Sequence, residues 1–156
     1  SELAKEEPKG GFASADYNTV ATSADLLAIN LLSSKFSVNP DCLAFEGHWK
    51  LSFDRKILSC SFSSESSSVA AIFQYSVTAK YGKKQALRCV ADYGVFYRTH
   101  NEATEAAAIG FCKNVGTFAA YPYFRALVAN MVKEAGIQLP PLPLIASTAH
   151  IPPKRN

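Results

Sequence analysis

The strongest constraint on the fold lies in residues 69–98, where apolar side chains fall on every second position for almost thirty residues. Val69, Ala71, Phe73, Tyr75, Val77, Ala79 and Tyr81 form one face of the first half, with Gln74, Ser76, Thr78 and Lys80 between them. A period of two belongs to a half-buried β-strand. Gly82-Lys83-Lys84 supplies a short connection, and a return strand runs from about Gln85 to Arg98 through Leu87, Cys89, Ala91, Tyr93, Val95 and Tyr97. The pair reads as a long hairpin with one apolar face, which must be covered by another layer.

Upstream, Leu58, Cys60 and Phe62 alternate with Ser59, Ser61 and Ser63, which predicts another strand, closed by a polar turn at Glu65-Ser66-Ser67-Ser68. Nearer the start, Leu27, Ile29 and Leu31 alternate with more polar neighbours, and the phase then shifts to Phe36 and Val38. A strand that changes phase contains a bulge. Asn39-Pro40-Asp41 ends it as a turn. Leu43, Phe45, Trp49, Leu51 and Phe53 share odd positions, which predicts a strand or an extended crossover with one apolar edge, bent at Gly47.

After Arg98 the period changes. Thr99 and Glu102 have capping-box spacing, and Glu105 adds negative charge to a first helical turn. Ala108, Phe111, Val115 and Phe118 recur three or four apart, as do Ile109, Cys112 and Gly116, which predicts a helix. Tyr121-Pro122 is read as the opening of a second helix, with the stripe Phe124, Leu127, Val128, Met131, Val132 and Ala135 and a stop at Gly136. A Pro-rich extended segment follows from Leu139 to Leu144.

Strands first and helices after predict an antiparallel α+β layer fold: a four-stranded sheet followed by two C-terminal helices packed on one face. The chain divides into a flexible N-terminal arm (1–25), containing Pro8, Gly10 and Gly11, one domain (26–146) and a tail (147–156).

Composition narrows the function. With 156 residues, 48% apolar and 19% charged, the chain is of the globular class. The net charge of +3 comes without any basic block, since Lys83-Lys84 and Lys154-Arg155 are only pairs, so no nucleic-acid partner is expected. No apolar run reaches the length of a membrane span, and no membrane partner is expected. The opening Ser1-Glu2-Leu3-Ala4-Lys5-Glu6-Glu7 lacks the apolar stretch of a secretory signal. Cys42, Cys60, Cys89 and Cys112 are widely spaced with no CxxC pair, which reads as reduced thiols of a cytoplasmic protein.

His48, His100 and His150 have no metal-ligand spacing, and no GxSxG, P-loop or GxGxxG occurs. No catalytic residue, metal site or cofactor is therefore expected. Aromatic residues are the conspicuous feature, at 12% with ten Phe and seven Tyr. Most belong to a core, but Phe45, Trp49 and Phe53 lie in a stretch rich in turn and charged residues, where an aromatic edge can line a groove.

The stretch Tyr121-Pro122-Tyr123-Phe124-Arg125-Ala126-Leu127-Val128, followed by Met131-Val132 and Gly136-Ile137-Gln138-Leu139-Pro140, resembles the C-terminal signature of the SecB export chaperones. Cys112-Lys113-Asn114, Tyr75-Ser76-Val77-Thr78-Ala79 and Gly94-Val95-Phe96 are similar to further family segments, in matching order over about residues 28–145. The resemblance implies a four-stranded antiparallel sheet with two helices, assembled as a dimer of dimers. It also implies a chaperone that holds unfolded polypeptides without ATP, with Phe45, Trp49, Phe53, Leu127, Val128 and Met131 as the client-binding residues.

Departures from the family qualify this. Export chaperones of this kind are acidic and dock on the translocation motor through negative charge on the sheet, whereas this chain is net positive and carries Arg88-Cys89 on the return strand. The Asn-Phe-Asp expected after the Pro-rich segment is missing beyond Ile145. Docking on the secretion motor is therefore not expected. Rival readings are a solitary SecB-like protein dedicated to one partner such as an antitoxin, a regulatory binding protein, and a hot-dog thioesterase, the last lacking a carboxylate or His constellation.

Overall fold

The computed structural model describes residues 14–44 and 47–144. Four long strands, β1 (Asp25–Val38), β2 (Lys50–Ser63), β3 (Ser68–Tyr81) and β4 (Lys84–Arg98), form one antiparallel sheet in the order β1-β4-β3-β2. A ten-residue helix, α1 (Ser14–Ser23), precedes the sheet, and a thirty-residue helix, α2 (Glu105–Glu134), follows it. The α+β architecture, with a helical layer on one sheet face, is the one expected.

The central hairpin obeys its alternation. Every second residue from Val69 to Ala79 is buried, and the facing residues Leu87 to Tyr97 of β4 are buried opposite them. The loop is the two residues Gly82 and Lys83, and Gly82 sits at φ +58°, where a side chain would be strained. α2 lies across this face, and the largest fully buried side chains include Tyr75, Phe73 and Phe124.

Two irregularities explain the phase changes read from the sequence. On β2 the register shifts between Ile57 and Ser59, so Leu51 and Phe53 pair with Ala79 and Val77, while Cys60 and Phe62 pair with Ala71 and Val69. Odd residues before the bulge and even residues after it thus reach the same covered face. On β1 a shift between Leu31 and Ser33 does the same, pairing Ile29 with Val95 and Phe36 with Cys89. The segment expected as a separate crossover and strand is consequently one strand from Lys50, preceded by a connection through a turn of 3₁₀ helix at Pro40–Cys42. That connection carries the chain from one edge of the sheet to the other.

Three local expectations change. Residues 14–23, assigned to a flexible arm, are helical; few apolar side chains advertise this helix, but Val20 is fully buried and the Tyr17 ring lies 6.4 Å from that of Phe111. Tertiary docking stabilises a segment whose own periodicity is weak. The C-terminal helix begins at Glu105 with Thr104 as its N-cap, accepting from the Ala107 amide at 3.3 Å, rather than at the Thr99–Glu102 pair. Lastly, the two C-terminal helices are one continuous helix with Pro122 inside it. Proline removes a helical donor and crowds the preceding turn. The helix nevertheless runs on, docked against the sheet around the proline: Ala120, Tyr121 and Phe124 are buried, and one turn earlier the Tyr75 hydroxyl on β3 donates to the Thr117 carbonyl at 2.5 Å.

Gly136 ends the helix as read. It sits at φ +69°, its amide donates to the Lys133 carbonyl at 3.1 Å, and the Ile137 amide donates to the Val132 carbonyl at 3.1 Å. That is the Schellman arrangement, and it turns the chain sharply back.

Candidate functional site

After Gly136 the Pro-rich segment returns along α2. Arg125 Nε donates to the Leu142 carbonyl at 2.7 Å, and the Tyr121 hydroxyl donates to the Pro143 carbonyl at 2.6 Å. From Gly136 back to Tyr121 the helix rises about 22 Å, at 1.5 Å per residue. The seven residues from Gly136 to Pro143 can cover a comparable distance in an extended, polyproline-like form. The prolines at 140, 141 and 143 favour that form and suit a strap laid along the helix. Leu142, 4% exposed, anchors it in the core.

Between the strap and the sheet lies a groove of about 440 Å³. Its lining comes from Leu51 of β2, Val77 of β3, one flank of α2 and the strap residues Ile137 and Leu139 to Leu142. On the helical flank Ala126 and Ala129 are small, so the backbone is approachable, while Val128 and Val132 supply apolar surface. Arg125 and Lys133 are the charged residues of the lining. A concave, mostly apolar cleft with a few polar groups suits an apolar segment of another molecule.

Of the sequence-predicted site residues that the structure describes, Val128, 6% exposed, belongs to the lining of this groove and the others do not. Phe53, 36% exposed, caps an aromatic cluster beside it: its ring centroid lies 5.3 Å from Tyr121 edge-on, 6.3 Å from Phe124 and 6.4 Å from Tyr75. Trp49 is half-buried and meets Tyr81 edge-on at 6.5 Å. Leu127 packs against the core, and Met131 is half-buried on the same helix, neither of them in the groove lining. Phe45 lies outside the described residues. Leu51, Ala126, Ala129 and the Pro-rich strap were not among the residues expected at the site. Alanines three apart were a faint signal, legible only once something is known to fold back over them.

Burial sets the ionisation of the hydroxyls beneath the groove. It pushes Tyr75 up to about 12 and raises Tyr121, whose shift is partly offset by Arg125 nearby. Both remain protonated donors at neutral pH, as their hydrogen bonds require.

Chemistry elsewhere is sparse. The four thiols are free. Cys60 on β2 meets Cys112 in α2, whose thiol hydrogen-bonds to it and, with Lys113, holds Cys60 below the usual thiol range despite partial burial; Cys112 is correspondingly raised. Among the described residues no three His, Cys, Asp or Glu gather as metal ligands. No helix among them is long and apolar enough to cross a membrane.

No protein-family model and no curated protein matches the sequence. The fold, by contrast, is similar to that of a solved structure, the Mycobacterium tuberculosis Rv1957 SecB-like chaperone in complex with a ChAD peptide from the Rv1956 HigA1 antitoxin. It superposes with a TM-score of 0.70 at 14% identity, covering 85% of this chain and 97% of that one. The sheet order, the crossover between opposite edges and the long covering helix are thus those of a known architecture, and this chain has the SecB-like fold.

Proposed function

We propose that this protein is an ATP-independent chaperone that binds extended apolar segments of other polypeptides, rather than an enzyme. The observation that carries the reading is the apolar groove between α2, its strap and the sheet, in a chain with the SecB-like fold. Phe53 and Trp49 at its margin, with Leu127, Val128 and Met131 on the helix and Phe45 in the crossover, are proposed as the wider client-binding surface.

Energetics argue for several grooves acting together. Two leucine-sized side chains seated in one groove contribute about 3–6 kcal/mol before association costs, whereas micromolar binding needs about 8 kcal/mol. A holdase of this kind must therefore present more than one site to the same chain. We propose a homo-oligomer built as a dimer of dimers. In its favour, β1 is an edge strand with an unpaired outer side, and Leu26, Leu27, Leu31 and Leu32 on it are about half exposed. Four free cysteines suit a reducing cytoplasm.

The mycobacterial neighbour carries an antitoxin peptide, which favours a second reading in which this chain serves one dedicated partner. One experiment separates the two. Suppression of aggregation of several unrelated unfolded proteins, without nucleotide, is expected for the general chaperone, and its absence at several-fold excess rejects that reading. Trp49→Ala is expected to weaken client binding by about 2 kcal/mol without unfolding the protein; unchanged binding by folded variant removes Trp49 from the surface.

A further inference from the structure

The groove is apolar, but its charge is one-sided. Arg125 and Lys133 both line it, and no Asp or Glu does. Neither cation has an ion-pair partner among the described residues: Arg125 spends its Nε on the Leu142 carbonyl, leaving the other guanidinium donors available, and Lys133 is exposed. Glu134 follows Lys133 along the helix, but it is exposed and outside the groove lining.

The strap does not neutralise them. From Gly136 to Pro153 the sequence contains no Asp, Glu, Lys or Arg. The wall facing the cations is therefore wholly uncharged. The one-sided charge is a property of the site, left for an occupant to answer.

We infer that the groove selects extended segments in which apolar residues are flanked by carboxylates. This rests on the groove being the client site, as proposed above. The spacing is defined as well. Eight residues of helix separate Arg125 from Lys133, about 12 Å. An extended peptide covers that distance in three to four residues at about 3.3 Å each. The preferred segment thus carries two acidic residues three or four positions apart, with the apolar side chains between them entering the groove. Charge-assisted hydrogen bonds beside a desolvated apolar contact are stronger than exposed ones, so carboxylates at this spacing discriminate among segments of equal hydrophobicity.

The test uses the full chain and three fluorescent peptides with one apolar core, flanked at both ends by aspartate, serine or lysine, read by anisotropy at low and high ionic strength. The aspartate peptide is expected to bind about tenfold more tightly than the serine peptide at low salt, and the lysine peptide most weakly, with the differences shrinking at high salt. Lys133→Glu is expected to bring the aspartate and lysine peptides together or reverse their order, and Lys133→Gln to reduce the aspartate preference several-fold. Lys35→Gln, on the opposite sheet face, should leave the order as it is. Equal binding of all three peptides overturns the charge selection while leaving the groove as client site. Binding of none overturns the groove itself, and this inference with it.

Discussion

The ring of Phe73 lies directly against the backbone of Gly116, so that a Cβ added at residue 116 would stand 2.9 Å from Phe73 Cε2 and 3.0 Å from Cζ. This contact sets how closely the N-terminal half of α2 approaches the sheet. Alanine at 116 gains about 1 kcal/mol of helix propensity but overpacks at about 1–3 kcal/mol. Gly116→Ala is therefore expected to destabilise the fold by about 1 kcal/mol in urea denaturation. Phe73→Leu in the same chain should relieve part of that cost, giving a measurable coupling in a double-mutant cycle. A stabilised Gly116→Ala variant would mean that the helix stands off further than described.

Burial holds the Tyr75, Tyr93 and Tyr97 hydroxyls up to about 12, against 10 for the free side chain. Their folded-state values exceed the unfolded ones, so their contribution is fully present below pH 10 and is lost as pH rises toward 12. Stability should fall there, with these three hydroxyls contributing a slope of up to about 4 kcal/mol per pH unit, to which Tyr121 and the buried thiols Cys89, held up to about 11, and Cys112 add with the same sign. Tyr75→Phe should flatten the slope by about one proton. A pH-independent urea midpoint from pH 9 to 11.5 would contradict it.

The half-exposed Cys60 is the thiol expected to react. Iodoacetamide on folded protein should modify it first, leaving the buried Cys42, Cys89 and Cys112 protected. Cys112→Ala removes the hydrogen bond that favours the Cys60 thiolate, and Lys113→Gln removes a nearby positive charge. Each should slow labelling at neutral pH several-fold, read by peptide mass mapping. Preferential labelling of Cys112 would refute the arrangement.

Leu142 is the anchor of the strap. Leu142→Asp exchanges a buried apolar side chain for a carboxylate and should lower the cost of local opening by about 2 kcal/mol. Proteolysis within residues 137–144 should then accelerate at least tenfold, with a much smaller change in the urea midpoint of the sheet. Equal cleavage rates would show that Tyr121 and Arg125 hold the strap unaided.

The hairpin from Val69 to Arg98 was legible because a strand buried on one face writes its environment in every second residue. The bulges on β1 and β2 were visible as phase changes, although only pairing with a neighbour joined the fragments 50–53 and 58–63 into one strand. Helix α1 was illegible because two docking contacts, Tyr17 and Val20, carry no periodic signal. The continuity of α2 through Pro122 was hidden because the residues flanking the proline, Ala120, Tyr121 and Phe124, are buried against the sheet, a tertiary effect that no local pattern records. The groove was the least readable feature. Large aromatics drew attention to Trp49 and Phe53, which pack on rings of their own chain, while the cleft is shaped by the smallness of Ala126 and Ala129 and by a strap that matters only after the chain has reversed.

The strand order has a consequence for synthesis. Asp25 at the start of β1 pairs with Arg98, 73 residues later, and Val38 at its end pairs with Leu87. At about 5–20 residues per second, β1 waits about 4–15 s on the ribosome before its partner is made. During that interval a fourteen-residue strand bearing Leu26, Leu27, Leu31 and Leu32 has no neighbour in its own chain. Each nascent molecule is, for those seconds, the kind of extended apolar segment that a finished molecule is proposed to hold, and an already folded copy becomes a natural attendant at its birth.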